Sequence, residues 1–221
     1  MLNNLPLDYS GEDVNLKNFL SVLTGNKKDA SGKVLESGEE DDIFLYFADH
    51  GAYGMVSMPT DYLDAPTLKK TLVTMHEKRL FKNMLIYLET CYSGSMFQDY
   101  LPQDLGVMAV TASNSTQPSY ACFYDETLKT FLADVFSYSW MENSEQRNHK
   151  SESILDQILY VTNRTADYSQ TSLFGNSEMK QLKIGQFQGS YEPKPSLMVD
   201  EQNQITNATS VLEIKIRYIH I

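Results

Sequence analysis

Two strands of the buried type, each ending on a reactive side chain, constrain this sequence more than any other feature. Asp42-Ile-Phe-Leu-Tyr-Phe-Ala-Asp49 runs into His50-Gly51, and Met84-Leu-Ile-Tyr-Leu-Glu89 runs into Thr90-Cys91-Tyr-Ser-Gly-Ser95. Each is a short apolar run rich in aliphatic and aromatic residues, the pattern of a strand covered on both faces, and each stops at small or polar residues. Neighbouring strands of an open parallel sheet form a crevice at their carboxyl ends. A His and a Cys delivered there face one another as a nucleophile and its base, however far apart they lie in the sequence.

The 221-residue chain, 42% hydrophobic, has enough apolar material for one substantial core. Eighteen basic residues against 29 acidic ones leave a net charge of −11. With no cluster of Lys or Arg to track phosphates, nucleic acid is not an expected partner. No apolar stretch approaches the roughly 20 residues needed to span a bilayer, and the first residues lack the basic-then-apolar layout of a secretory signal. Cys91 and Cys122 are the only cysteines. Cys91 lies among Gly and Ser and reads as an accessible thiol, whereas Cys122, among bulky aromatics, reads as buried. Two cysteines and four scattered histidines offer no metal-ligand spacing, so neither metal nor cofactor is expected, and His76, His149 and His220 read as solvated or as part of polar or terminal segments.

The periodicity predicts helices over 15–23, 65–81, 127–142 and 151–162, with Pro66 suited to the first turn of the second. Strands are expected at 42–49, 84–89, 106–112 and 179–187, with a short loop or hairpin at 51–59. Strand, helix, strand over 42–89 is a right-handed βαβ unit, which makes its two strands parallel and adjacent. From residue 190 two prolines and a polar run read as linker, and 211–221 as a weak strand or irregular tail.

A thiol with a pKa near 8.5 is only a few per cent thiolate at neutral pH, so Cys91 needs activation from His50 or from the amide-rich turn that follows its strand. Gly94 and its serine neighbours would let backbone amides approach a substrate carbonyl, and Gly51 would present a further N–H, together forming an oxyanion hole. The blocks Ala48-Asp-His-Gly51, Leu88-Glu-Thr-Cys-Tyr-Ser-Gly-Ser-Met-Phe97 and Ser119-Tyr-Ala-Cys-Phe-Tyr-Asp-Glu126 resemble the legumains, the asparaginyl endopeptidases among the caspase-like cysteine peptidases. The likeness continues through Ser137-Tyr-Ser-Trp-Met-Glu142 and Lys183-Ile-Gly-Gln-Phe-Gln-Gly189.

The resemblance implies a caspase-like three-layer α/β sandwich with a mostly parallel sheet. It implies Cys91 as nucleophile, His50 as general base, the Gly51 and Cys91 amides as oxyanion donors, and Asp49 as the acidic residue before the His. Glu89, Ser119 and Asp134 match the pocket for the P1 residue, whose carbonyl is attacked. The implied substrates are proteins or peptides with Asn at P1, or Asp when acid protonates it, in a lysosomal or vacuolar compartment. An amine that resolves the acyl-enzyme in place of water would give ligation. On this reading residues 1–189 are a catalytic domain lacking the family's first strand or strands, with the Asn that orients the base and the Arg of the P1 pocket, and 190–221 are a divergent tail. Two other readings stand beside it: a lipid-anchor transamidase with the same His-Gly and Cys layout, and a catalytically silent fragment or pseudoenzyme acting as an interaction module.

Overall fold

A computed structural model describes residues 7–190 and the backbone of 209–210. The strands are β1 (Asp42–Ala48), β2 (Gly51–Ala52), β3 (Met55–Ser57), β4 (Tyr62–Asp64), β5 (Asn83–Glu89), β6 (Val107–Thr111), β7 (Tyr120–Asp125), β8 (Thr130–Asp134), β9 (Ser172–Gly175) and β10 (Thr209–Ser210). The helices are α1 (Leu16–Leu23), α2 (Ala65–Glu77), α3 (Val135–Gln146), α4 (Ile154–Thr165) and the single-turn α5 (Gly185–Gln188). The central sheet has the order β1-β5-β6-β9, parallel through its first three strands, with β9 antiparallel to β6.

Helices cover both faces of this sheet, so β5 is buried from Met84 to Glu89 and reads as an unbroken apolar run. On one face Phe19 and Leu23 of α1 and Leu68, Leu72 and Met75 of α2 pack on Ile43, Phe47, Met84 and Ile86. On the other, Phe136 and Trp140 of α3 and Ile154, Ile158 and Val161 of α4 cover Leu85, Tyr87, Met108 and Val110. Successive strand residues point to opposite faces, which is why Leu85 and Ile86 enter different cores. The three-layer architecture expected from the sequence is therefore present, including the βαβ unit with β1 and β5 parallel and adjacent.

Helix starts follow local chemistry. Asn15 accepts the Asn18 amide at 2.9 Å before α1, and Asp64 accepts that of Thr67 at 2.7 Å before α2, with Pro66 in the first turn. Ser153 and Asp156 form a reciprocal capping box on α4.

Three elements depart from expectation. The helix predicted over 127–142 begins only at Val135, because Asp125 Oδ1 accepts the amides of Thr127 and Leu128 at 2.8 and 2.7 Å and turns the chain into a β7–β8 hairpin. Leu128 and Leu132, which complete the apparent helical stripe, are exposed instead. The strand predicted over 179–187 is a 3₁₀ turn at Ser177–Gln181 followed by α5, and the closing strand is β9, upstream of it. Gly175 ends β9 at φ +84°, a left-handed conformation that favours glycine. Helix α2 stops at Glu77, four residues short, where Arg79 turns left-handed. In the tail, Thr209 and Ser210 pair antiparallel with Ala121 and Tyr120, and the segment 211–221 lies outside the described residues.

Candidate active site

The site is built where β1 and β5 end. Their register pairs Ala48 with Glu89, and the Asp49 amide donates to the Glu89 carbonyl at 3.2 Å. His50 and Cys91 therefore each lie two residues beyond the last paired position, at the same end of neighbouring strands. Gly51 packs directly on the backbone after β5: a methyl group on its Cα would lie 2.5 Å from the Cys91 carbonyl oxygen and 2.7 Å from Thr90 Oγ1. No side chain fits there. Gly51→Ala is expected to cost about 1–3 kcal/mol through overpacking against this backbone, read as a lower urea midpoint at unchanged m-value. Ser57 donates to the His50 carbonyl at 2.8 Å, so alternation along the β2–β3 ladder turns the Gly51 N–H away from β3.

Cys91 is fully buried, which corrects the expectation of an accessible thiol. Its sulfur accepts the Ser119 amide at 3.4 Å and lies 3.9 Å from both the carbonyl and the hydroxyl oxygen of Ser119, and its side chain packs with Ala121, Tyr92 and Phe131. The start of β7 thus covers the thiol. Tyr92, at φ +56°, reverses the chain immediately after Cys91.

The turn does not offer the amides expected of it. Tyr92 donates to the Gln117 carbonyl at 2.8 Å, Ser93 to Ser113 Oγ at 3.2 Å, Gly94 to the Ser113 carbonyl at 3.1 Å and Ser95 to the Tyr92 carbonyl at 2.9 Å. Gly94 serves packing instead: a methyl there would meet the backbone of Asn114 and Ser115 at 2.8 Å. Cys122 is buried as expected, and burial followed by the charges of Asp134 and Glu89 pushes its thiol up, away from nucleophile chemistry.

His50 is half-buried, and its backbone amide donates to Asp49 Oδ1 at 2.5 Å. Burial raises the Asp49 carboxyl, against the lowering effect of that hydrogen bond and of the His50 charge. His76 is exposed, with Nδ1 3.1 Å from the Leu105 carbonyl oxygen. His149, read as part of a polar segment, is buried, its ring nitrogens 2.7 and 2.8 Å from the carbonyl oxygens of Gly189 and Ser144. No group of three or more His, Cys, Asp or Glu among the described residues is arranged to hold a metal ion.

Two residues before the thiol begins a buried pair of carboxyl groups, Glu89 and Asp134. Glu89 is 2% exposed, and its Oε2 accepts both the amide and the hydroxyl of Ser137 at 3.0 Å, while Oε1 has no hydrogen-bond partner. Asp134 Oδ1 is likewise buried without a partner. Burial, then the Asp134 charge, raises the Glu89 carboxyl well above the usual range, with the Ser137 and Ser119 hydroxyls acting in the opposite sense. Burial lifts Asp134 to about 7. Of these expected site residues, Ser119 contacts the Cys91 sulfur and acts on the Glu89 carboxyl, and the Asp134 charge acts on Glu89. Sequence reasoning missed Ser137 and Tyr46, whose hydroxyls are 2.6 Å apart. The false helix start at 127 concealed that Ser137 is the third residue of α3, where backbone amides lack partners within the helix.

Comparison with known proteins gives this geometry a context. The model of the peptidase C13 family matches residues 1–190. A hemoglobinase of Schistosoma mansoni is 44% identical over 191 residues, covering 86% of this chain and 44% of that protein. Legumain of Rattus norvegicus is 42% identical over 84% of this chain and 43% of its own length, and the vacuolar-processing enzyme delta-isozyme of Arabidopsis thaliana 39% over 79% and 41%. The chain spans less than half the length of these relatives.

Proposed function

Because this chain belongs to the peptidase C13 family, we propose that it is a cysteine endopeptidase that cleaves after Asn. The observation that carries this reading is the contact of Gly51 with the Cys91 carbonyl, which locks a His-Gly segment and a Cys at the same end of adjacent parallel strands. His50 takes the Cys91 proton, and the sulfur attacks the P1 carbonyl carbon. The amides of Gly51 and Cys91 receive the developing oxyanion, an arrangement whose single donors are typically worth about 10²–10³ in rate. The protonated His50 gives its proton to the leaving amine, and water, activated by the same imidazole, releases the acyl group. A second peptide's amine in place of water gives ligation. Residues 1–189 are then the catalytic unit and 190–221 a tail.

The acidic pocket supports Asn at P1. A carboxamide has two N–H donors and one C=O acceptor. Carboxylate oxygens of Glu89 and Asp134 accept from the NH₂ group, and a proton held on either raised carboxyl is a donor for the C=O. Asp at P1 presents the same shape once protonated, which requires acid. A vacuolar setting, in line with the name of the Arabidopsis relative, or a lysosomal one supplies that condition.

Hydrolysis of matched peptides with Asn, Asp and Gln at P1, at pH 5 and pH 7, tests this. Asn is expected to exceed Gln by at least about 10²-fold, because a displaced carboxamide leaves buried pocket groups unpaired, and Asp to approach Asn only at pH 5. Equal cleavage of Asn and Gln peptides would remove the proposed specificity. The complete burial of Cys91 favours a second reading, in which the chain is catalytically silent and acts by binding. Absence of turnover together with absence of labelling by an Asn-P1 thiol-reactive probe selects it.

A further inference from the structure

We propose that Ser137 is a positioning residue of the P1 pocket: its amide and hydroxyl together hold Oε2 of Glu89, so that Oε1 is the oxygen presented to the substrate carboxamide. The inference rests on the P1 reading above and extends it to a residue that does not itself touch substrate. It starts from an irregularity at the head of α3. Asp134 occupies the N-cap position, where an aspartate ordinarily accepts an amide of the first turn, yet its side chain makes no such bond. The third amide, that of Ser137, donates instead to Glu89 on β5, 48 residues earlier in the chain. Helix α3 is thus capped from another element, and Asp134 is released from capping with Oδ1 unpartnered.

Three elements converge on this bond. Ser137 Oγ donates to the same Glu89 oxygen at 3.0 Å, which commits its only proton. The Tyr46 hydroxyl, 2.6 Å away on β1, must then be the donor to Ser137 Oγ, and burial together with the Glu89 charge keeps the tyrosine protonated for that role. The serine rotor is fixed by a tyrosine whose ring packs edge-on against Trp140 at 5.2 Å. With Oε2 held by two donors, a proton taken up by Glu89 goes to Oε1, the oxygen without a partner. In the neutral form Oε1 is a donor, in the ionised form an acceptor, and in both it is the atom left to meet a carboxamide.

The test uses the full chain and its Ser137→Ala, Ser137→Thr and Tyr46→Phe variants. The first readout is kinetic, on the preferred P1 peptide of the wild type. Ser137→Ala is expected to raise KM about tenfold with kcat within about threefold, the size expected for loss of one hydrogen bond to a charged group. Ser137→Thr is expected to restore wild-type KM, Tyr46→Phe to fall between, and alkylation of Cys91 by iodoacetamide to keep its wild-type rate in all three. The second readout needs no turnover: ¹³C NMR titration of the Glu89 carboxyl, assigned with Glu89→Gln. Removing a donor to the carboxylate moves its midpoint to higher pH in Ser137→Ala, and Ser137→Thr moves it back. A Glu89 titration unchanged by Ser137→Ala, or a loss confined to kcat, overturns the proposal. If the wild type shows no preference for Asn or no turnover, the P1 reading fails on its own, and the carboxyl titration still decides whether Ser137 holds Glu89.

Discussion

Cys91→Ser is expected to reduce kcat/KM by at least about 10⁴-fold while leaving the free energy of unfolding, from urea titration, within about 1 kcal/mol of the wild type. A serine hydroxyl is somewhat smaller than the thiol and keeps an acceptor facing the Ser119 amide, which reaches the Cys91 sulfur at 3.4 Å in the wild type. What is lost is chemical: an alcohol is a far weaker nucleophile than a thiol unless its base is matched to it. His50→Ala is expected to fall by a similar factor, because nucleophile and base act as a unit and their losses do not add. Peptide hydrolysis, with circular dichroism to confirm folding, provides the measurement. Retention of activity within about tenfold in Cys91→Ser would place the chemistry elsewhere.

The second large effect is on stability. Glu89 and Asp134 both titrate above their unfolded values, so the folded chain binds these protons more tightly than the unfolded chain does. Stability from this source is therefore fully present below about pH 4, the unfolded carboxyl range, and is lost as pH rises through the folded values. For Asp134 the window runs from about pH 4 to about 7, and Glu89 adds to it in the same direction. At roughly 1.4 kcal/mol for each tenfold gain in proton affinity on folding, the loss from Asp134 is on the order of a few kcal/mol. The capping carboxylates Asp64 and Asp156 act oppositely: their values are lowered by Thr67 and Ser153, so their contribution is present above the unfolded range and disappears in stronger acid. A maximum in mildly acidic solution follows. Urea midpoints at pH 4.5 and 7.5 measure the difference, with the higher midpoint expected at pH 4.5 and a flatter profile in Glu89→Gln. An equal or higher midpoint at pH 7.5 would show that the two carboxyls do not hold protons in the fold.

The central sheet was legible because β5 and β6 are covered on both faces, and burial on both sides leaves an uninterrupted apolar run in the sequence. That His50 and Cys91 follow the same ends of neighbouring parallel strands was legible from the strand ends alone. Leu128, Phe131 and Leu132 misled because an i, i+3, i+4 spacing also arises by chance across a turn, and the Asx geometry of Asp125 that breaks it depends on two side-chain hydrogen bonds. Strand β9 was missed because four residues, all half-buried, present no contrast between faces. The cover over Cys91 comes from Ser119 and Ala121, residues contributed by a distant strand, and no local composition encodes that. Ser137 failed for a related reason: its role depends on where α3 begins, and helix boundaries are set by which amides find partners.

The placement of Trp140 gives the molecule its own optical probe. It is the sole tryptophan of the chain, it lies three residues beyond Ser137 on α3, and its ring meets those of Phe44, Tyr46 and Tyr87 at 5.2–5.8 Å. Its indole N–H is buried without a partner. Emission from this one indole therefore arises from the layer directly behind the acidic pocket, and rearrangement of the tyrosine-serine-glutamate chain is readable in unlabelled protein.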